Sequence, residues 1–460
     1  MEFPFISKLP GPEGTFPKNL YVTTETETGE AAVIRRPGLL DKVDTAYGEG
    51  RALEWWDGYY YAVVKDKLYR INNTVWTATE IGTLSTSSGP VSLAFGATKM
   101  MVVDGRQAKY QAYGATSLTS ISDDEAIKAK TVTYQDGYFI VPLPDSDSWY
   151  ISTLDDPSEW SSLDEGEEGR KADDLVAMFS NSGQVIAFGV SVLGWYWNSG
   201  DDFPFTRTQG ATHEIGLGAA HSPAEIDKGV CFLDSANRIC KTSGNDYAVI
   251  STPEIHKKIS SYTHPETARG SGVYWKGFAW YILAFPDDNK TWCFDMGNQM
   301  IWEITSGNME NMFRGLLLAQ KDGGSSEVVA LDRNNGKIYL LSDETRYDNG
   351  DEIIRMVKTL PSMHSGGKHI RHDMIQLRMK TGIGLSGEGS PLCELRYSDD
   401  HMKTWENYMP AKMGKEGERF IDVFWDSMGI SNHRVYEFSC SAPVPLEIHG
   451  AIFISGAGKV

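Results

Sequence analysis

Cysteine is scarce: Cys231, Cys240, Cys293, Cys393 and Cys440 are the five among 460 residues. The number is odd and no two form a C-x-x-C pair, so neither a disulfide framework nor a cysteine-built zinc site is written here. Buried thiols in a reducing compartment are the expected state. Cys231 and Cys240 could face each other across a hairpin, but no bond is expected. Long apolar runs are missing, which argues against a membrane helix and membrane insertion. The opening "MEFPFISKLPGPEGTFPKNL" has no apolar signal core, so synthesis and folding in the cytoplasm are expected. Positive charge is in deficit: 43 Lys and Arg against 62 Asp and Glu give a net charge of −19 and a pI near 5.0. That argues against a surface that grips nucleic acid by neutralising phosphates. It leaves room for an acidic wall past which DNA moves without being held.

Motifs of catalysis are also wanting. There is no G-x-x-x-x-G-K-[ST], H-E-x-x-H or G-x-S-x-G. No enzymatic activity, catalytic residue, cofactor or metal is expected. Helix signals are few and short: Pro253 to Ser260, Ser222 to Ile226, and Asn308 to Met312.

Strand signals fill the space that helices leave. Thirteen Trp, 21 Tyr and 46 Gly suit an all-β chain with many tight turns. One pattern recurs: "WWDGYYYAVVKDKLYRI" from Trp55, "TYQDGYFIVPLPDSDSWYIS" from Thr133, and "YWKGFAWYILAFPDDNKTWCFD" from Tyr274. Each places an aromatic before a turn ending in Gly58, Gly137 or Gly277, then an aromatic strand and a further strand carrying Tyr69, Trp149 or Trp292. Asp-Gly suits a two-residue hairpin, because Gly accepts positive φ without steric cost; Lys276-Gly277 is the weaker case. Gly58 to Gly137 spans about two, and Gly137 to Gly277 about three, units of the roughly 40–45 residues of a propeller blade. Weaker hairpins fall near Gly105, Gly189, Ser235 and Gly336. Radial repetition leaves only short sheet edges. The reading is a β-propeller of six or seven blades over 30–354, preceded by an extended arm, 1–29. Composition shifts after Ile354, and 355–460 reads as a separate C-terminal antiparallel β-sheet or sandwich.

Three features could carry chemistry. "YSDDHMKTW" nearly matches the Asp-box S-x-D-x-G-x-T-W through Ser398, Asp400, Thr404 and Trp405, with Met402 in place of Gly. Such a box is a structural hairpin turn: the carboxylate ties down loop amides and Trp405 is expected to pack beneath. A sialidase would show several copies and an arginine triad, and one copy is present. His364, His369 and His372 could hold a metal such as zinc, but three histidines among Lys and Arg more often form an exposed basic loop. The acidic stretch Asp164 to Asp174 lacks the D-x-D-x-D-G order of a calcium loop and reads as a solvated loop.

The chain resembles the packaged-DNA stabilization family of short-tailed bacteriophages (podophages), whose members are tail hub or nozzle proteins. The residues carrying the likeness are "ADDLVAMF" from Ala172, Trp195, Trp197 and Gly200, Pro204 and Phe205, and Ile250, Ser251, Thr252 and Tyr262. Gly277, Pro286, Trp292, Asp295 and Trp302 follow, and then the stretch from "LRYSDDHMKTW" to "PVPLEIHGA". It covers roughly 170–305 and 385–455. Met402 and the Asp426-Ser427 pair after Trp425 depart from the family's pattern. The resemblance implies a virion protein forming a hexameric ring below the portal and adaptor. Such a ring would extend the DNA exit channel, retain packaged DNA until ejection, and anchor tailspikes or fibres and a needle or plug. A net acidic lumen is the expectation drawn from charge. The rival reading is a glycan-binding or glycan-hydrolysing, sialidase-like propeller, which a carboxylate pair lining a funnel would support.

Overall fold

The computed structural model describes residues 2–3, 14–24, 29–45, 47–123, 128–167, 173–307, 309, 311–321, 327–350, 352–383, 389–419 and 421–457. Most of the expected N-terminal arm, Asn308 of the third expected helix, and Ala172 therefore lie outside the described residues. The chain divides into two compact units: Asp41–Asn289 with Arg314–Leu340, and Met1–Leu40 with Lys290–Phe313 and Leu341–Val460. The expected boundaries at 29/30 and 354/355 are single cuts in the sequence, whereas each unit is assembled from separated segments.

The first unit is a β-propeller. Five four-stranded antiparallel sheets follow one another, spanning 50–83, 92–120, 133–167, 175–213 and 224–249. A hairpin, Arg269–Trp275 with Phe278–Phe285, comes next. The last sheet contains Gly315–Gln320, Val328–Asp332 and Ile338–Ser342. Its innermost strand, Gly315–Gln320, packs against both Arg269–Trp275 and Gly50–Trp56, which closes a ring of seven blades.

Local chemistry explains the hairpins. Trp56 pairs with Tyr59, Gln135 with Tyr138 and Trp275 with Phe278, each across two residues of positive φ. Lys276 (φ 46°) and Gly277 (φ 85°) adopt the same turn as Asp57 (φ 44°) and Gly58 (φ 85°), so the weaker sequence signal marks an equal turn. Gly58, Gly137 and Gly277 close the first hairpins of blades one, three and six. The hairpins near Gly105, Gly189, Ser235 and Gly336 instead join the second and third strands of blades two, four, five and seven.

Packing explains why the second strands read as continuous apolar runs. Tyr60, Ala62 and Val64 join Val329, Leu331 and Ile338 of blade seven. Their neighbours Tyr61 and Val63 join Met100 and Val102 of blade two. Alternate side chains thus enter two different interfaces, and both faces of the strand are buried. The same sharing recurs between blades two and three, three and four, and four and five.

Pro253–Ile259 is the α-helix expected there, opened by Thr252, whose side chain accepts from the Ile255 amide. The expected helix at Ser222 to Ile226 is corrected: Ala224–Ile226 is the innermost strand of blade five, paired with Gly229–Leu233. A turn of helix there would leave that edge of the blade without its ladder. Asn311–Met312 likewise pairs as strand with Thr305–Ser306.

The second unit holds two larger antiparallel sheets. One orders Leu20–Thr23, Ala32–Arg35, Glu447–Ala457, Ile370–Met379 and Val423–Asp426. The other orders Met356–Thr359, His433–Cys440, Leu392–Ser398 and Met409–Lys412. His372 and Phe453 from the first meet Tyr436 from the second, so the sheets pack face to face. Leu20–Thr23, inside the segment expected to be an extended arm, is a fully buried strand.

Candidate functional site

The Asp-box-like turn lies in the second unit, after the strand Leu392–Ser398. Ser398 Oγ donates to Asp400 Oδ1 at 2.8 Å and accepts from the Met402 amide at 2.9 Å. Asp400 also accepts from the Thr404 amide at 2.9 Å and from Thr404 Oγ1 at 2.6 Å. These donors hold its carboxyl well below the ordinary carboxylate range, the Thr404 hydroxyl foremost. Met402 adopts φ 63° where the motif has Gly. Trp405 is half-buried rather than enclosed: it lies beside the turn with the Arg396 guanidinium 4.6 Å from its ring. The enclosed tryptophan of this region is Trp425, whose Nε1 donates to the Met409 carbonyl at 2.8 Å.

The three histidines do not share an environment. His364 and His369 are exposed, while His372 is buried between Ser431 Oγ and Tyr436 OH, each 2.8 Å away. Of the acidic stretch, residues 168–172 lie outside the described residues. Asp173 accepts from the Ser191 and Val192 amides and from Ser191 Oγ, which makes it the cap of a turn. Cys231 pairs with Lys241 and Cys240 with Phe232, one residue out of register. The two thiols therefore point to opposite faces, and all five cysteines are buried and free.

The axial channel of the propeller is a cavity of about 820 Å³ walled by the innermost strands of all seven blades. Spread along innermost strands of three to seven residues at about 3.3 Å each, that volume gives a bore on the order of 10 Å. The major groove of B-DNA alone is about 12 Å wide. A duplex does not pass along this axis.

Two arginines in the wall are consumed structurally. Arg51 donates to the carbonyls of Gly89, Lys65 and Thr86, and Arg269 to the Gly50 carbonyl and the Glu49 carboxylate. Glu54 and Glu225 line the channel without a side-chain partner among the described residues. Glu54 meets channel water yet is ringed by blade walls, and that desolvation pushes its carboxyl up to about 7. Lys321 lies at the same wall, its Nζ 5.6 Å from the Trp55 ring. The sequence reading named none of these as a site. A signal existed: Trp55, Tyr134, Glu225 and Tyr274 each stand two residues before a first-hairpin turn.

Residues 13–346 match the family model described as "Bacteriophage P22 Gp10, beta-propeller" (Phage_stabilise). The chain belongs to this family. It is a structural β-propeller protein of a bacteriophage tail, and the family match ends before the stretch 385–455 in which a resemblance was also read. No curated protein matches the chain. Among solved structures, a chain of a mitotic checkpoint complex aligns at TM-score 0.43 and 10% identity, covering 66% of this chain and 94% of that one. The Neurospora crassa Pan2 WD40 domain aligns at TM-score 0.42 and 10% identity, covering 67% and 98%. The fold assignment rests on the ring of sheets and the family match. No helix among the described residues is long and apolar enough to cross a membrane.

Proposed function

We propose that this phage structural protein is the tail hub, or nozzle, of a short-tailed phage. It assembles as a homohexameric ring below the portal and adaptor and encloses the path by which DNA leaves. Tailspikes or fibres attach outside and a needle or plug below. The observation that carries this reading is membership of the phage-stabilisation propeller family. The narrow axial bore supports one part of it: a channel for DNA has to be built between copies, as cyclic symmetry with a head-to-tail interface allows.

The net charge of −19 suits a lumen that does not retain the duplex. Each phosphate neutralised by Lys or Arg strengthens binding, with a salt slope of about −0.9 per contact. An acidic wall repels the duplex within about 8 Å at physiological salt. A map of the assembled tail tests both statements. Six copies around the DNA path are expected, with lumen-facing loops poor in Lys and Arg. A basic lumen would overturn the acidic wall alone. A different symmetry, or a chain that stays monomeric in virions, would overturn the nozzle.

A further inference from the structure

We infer that Cys393 and Cys440 form a latent disulfide, two facing thiols that close into one cross-strand bond when the protein meets a low-molecular-weight disulfide as oxidant. The inference rests on sheet register and is independent of the nozzle reading. Where Leu392–Ser398 pairs with His433–Cys440, Glu394 stands opposite Ser439 and Leu395 opposite Phe438. One step further along that ladder, Cys393 stands opposite Cys440. Both side chains therefore project from the face that carries Leu395 and Phe438, and both are fully buried.

The hydrogen bonds decide which kind of pair this is. The Tyr436 carbonyl accepts from the Leu360 amide, on the side of the neighbouring strand Met356–Thr359 and away from Leu392–Ser398. The Pro391 and Tyr397 carbonyls accept from the Met413 and Glu406 amides, on the side away from His433–Cys440. Backbone groups alternate sides along a strand, so Cys440 points with Tyr436, and Cys393 with Pro391 and Tyr397. Cys393 and Cys440 are thus a non-hydrogen-bonded pair, the kind whose Cα atoms lie about 4.5 Å apart and whose side chains are closest. A disulfide bridges Cα atoms roughly 4.4–6.8 Å apart.

Both thiols are free in the structure. Cys440 Sγ reaches across to the Leu392 carbonyl oxygen at 3.7 Å, while Cys393 Sγ leans the other way, to the Ala411 carbonyl oxygen at 3.8 Å. A change of χ1 rotamer at Cys393 turns its sulfur toward Cys440. Closure consumes one R–S–S–R. One thiolate of the pair attacks it and expels RS⁻, and the other then displaces the second RS⁻ from the mixed disulfide. The pair gives up two electrons, and its two protons leave on two molecules of RSH. Burial pushes both thiols up, so thiolate is scarce and closure is slow. A reducing cytoplasm keeps the pair open. The remaining cysteines lack this arrangement: Cys231 and Cys240 point to opposite faces, and Cys293 stands opposite Trp302.

Incubation of the folded full-length chain with oxidised glutathione at pH 8, just below its melting temperature, tests the pair. Thiols titrated in denaturant should fall by two from the five of the reduced chain, and peptide mapping should join the segments holding Cys393 and Cys440. The bond closes a long loop, so the melting temperature should rise by several degrees and return when dithiothreitol is added. Cys393→Ala and Cys440→Ala should each abolish the bond and the shift, and Cys231→Ala should keep both. Five intact thiols, glutathione adducts alone, or a bond between other cysteines overturns the inference.

Discussion

Arg36 and Asp348, 312 residues apart in sequence, form an ion pair in the interior of the second unit. Nη1 to Oδ1 is 3.0 Å and Nη2 to Oδ2 is 2.6 Å, with side-chain exposures of 2% and 1%. Every remaining donor of Arg36 is used: Nε reaches Asn19 Oδ1, Nη1 the Pro37 carbonyl and Nη2 the Thr305 carbonyl. Ser306 Oγ completes the shell of Asp348 at 2.7 Å. One guanidinium thus joins the N-terminal segment, the stretch 290–313 and the C-terminal stretch.

Removing one partner of such a pair leaves a buried charge uncompensated. Asp348→Ala should destabilise the protein by about 3–5 kcal/mol. The double change Arg36→Met with Asp348→Leu should cost less than the single one. Denaturant melts of the three proteins decide it. Equal loss in single and double variants would show that the pair's geometry, rather than the orphaned charge, carries the stability.

Burial ranks the two tryptophans of the C-terminal sheets. Trp425→Ala should cost about 3–5 kcal/mol, as for a core aromatic. Trp405→Ala should cost clearly less, since only the stacking of Arg396 and part of the ring's cover are lost. Midpoints of chemical unfolding compare them directly.

His372 sets an acid limit. Burial first, and then the Arg434 charge, lower its pKa to about 4. The unfolded value is about 6.5, so between the two the unfolded chain binds the extra proton. Stability present above about 6.5 should be lost as pH falls toward 4, by on the order of 2 kcal/mol after discounting for partial screening. Imidazole NMR resonances should show His372 still neutral at pH 5.

Blade contacts make two glycines unequal. Gly272 runs so close to blade five that an added Cβ would lie 2.0 Å from the Glu225 carbonyl oxygen. Gly277 has open space but a φ of 85°. Gly272→Ala should part the blades and lower the melting temperature strongly. Gly277→Ala should cost only about 1–2 kcal/mol of backbone strain.

What the sequence could say, it said through local chemistry. Asp57-Gly58 and Asp136-Gly137 announce hairpins because few residues tolerate positive φ, and the 79 and 140 residues between their repeats correspond to the two and three blades observed. Thr252-Pro253 announces the helix for the same local reason. Ser398, Asp400 and Thr404 announce their turn, because its hydrogen bonds close within four residues. The number seven was not legible. The hairpins at Gly105, Gly189, Ser235 and Gly336 mark a different turn of the blade, and closure depends on how Gly315–Gln320 meets Gly50–Trp56. Nor could sequence show that Ala224–Ile226 is a strand, that Trp425 rather than Trp405 is enclosed, or that Arg36 finds Asp348. Each depends on atoms hundreds of residues away or on a neighbouring sheet. The channel belongs with these: Glu54, Glu225 and Lys321 are ordinary charged residues until seven blades close and bring them to one bore.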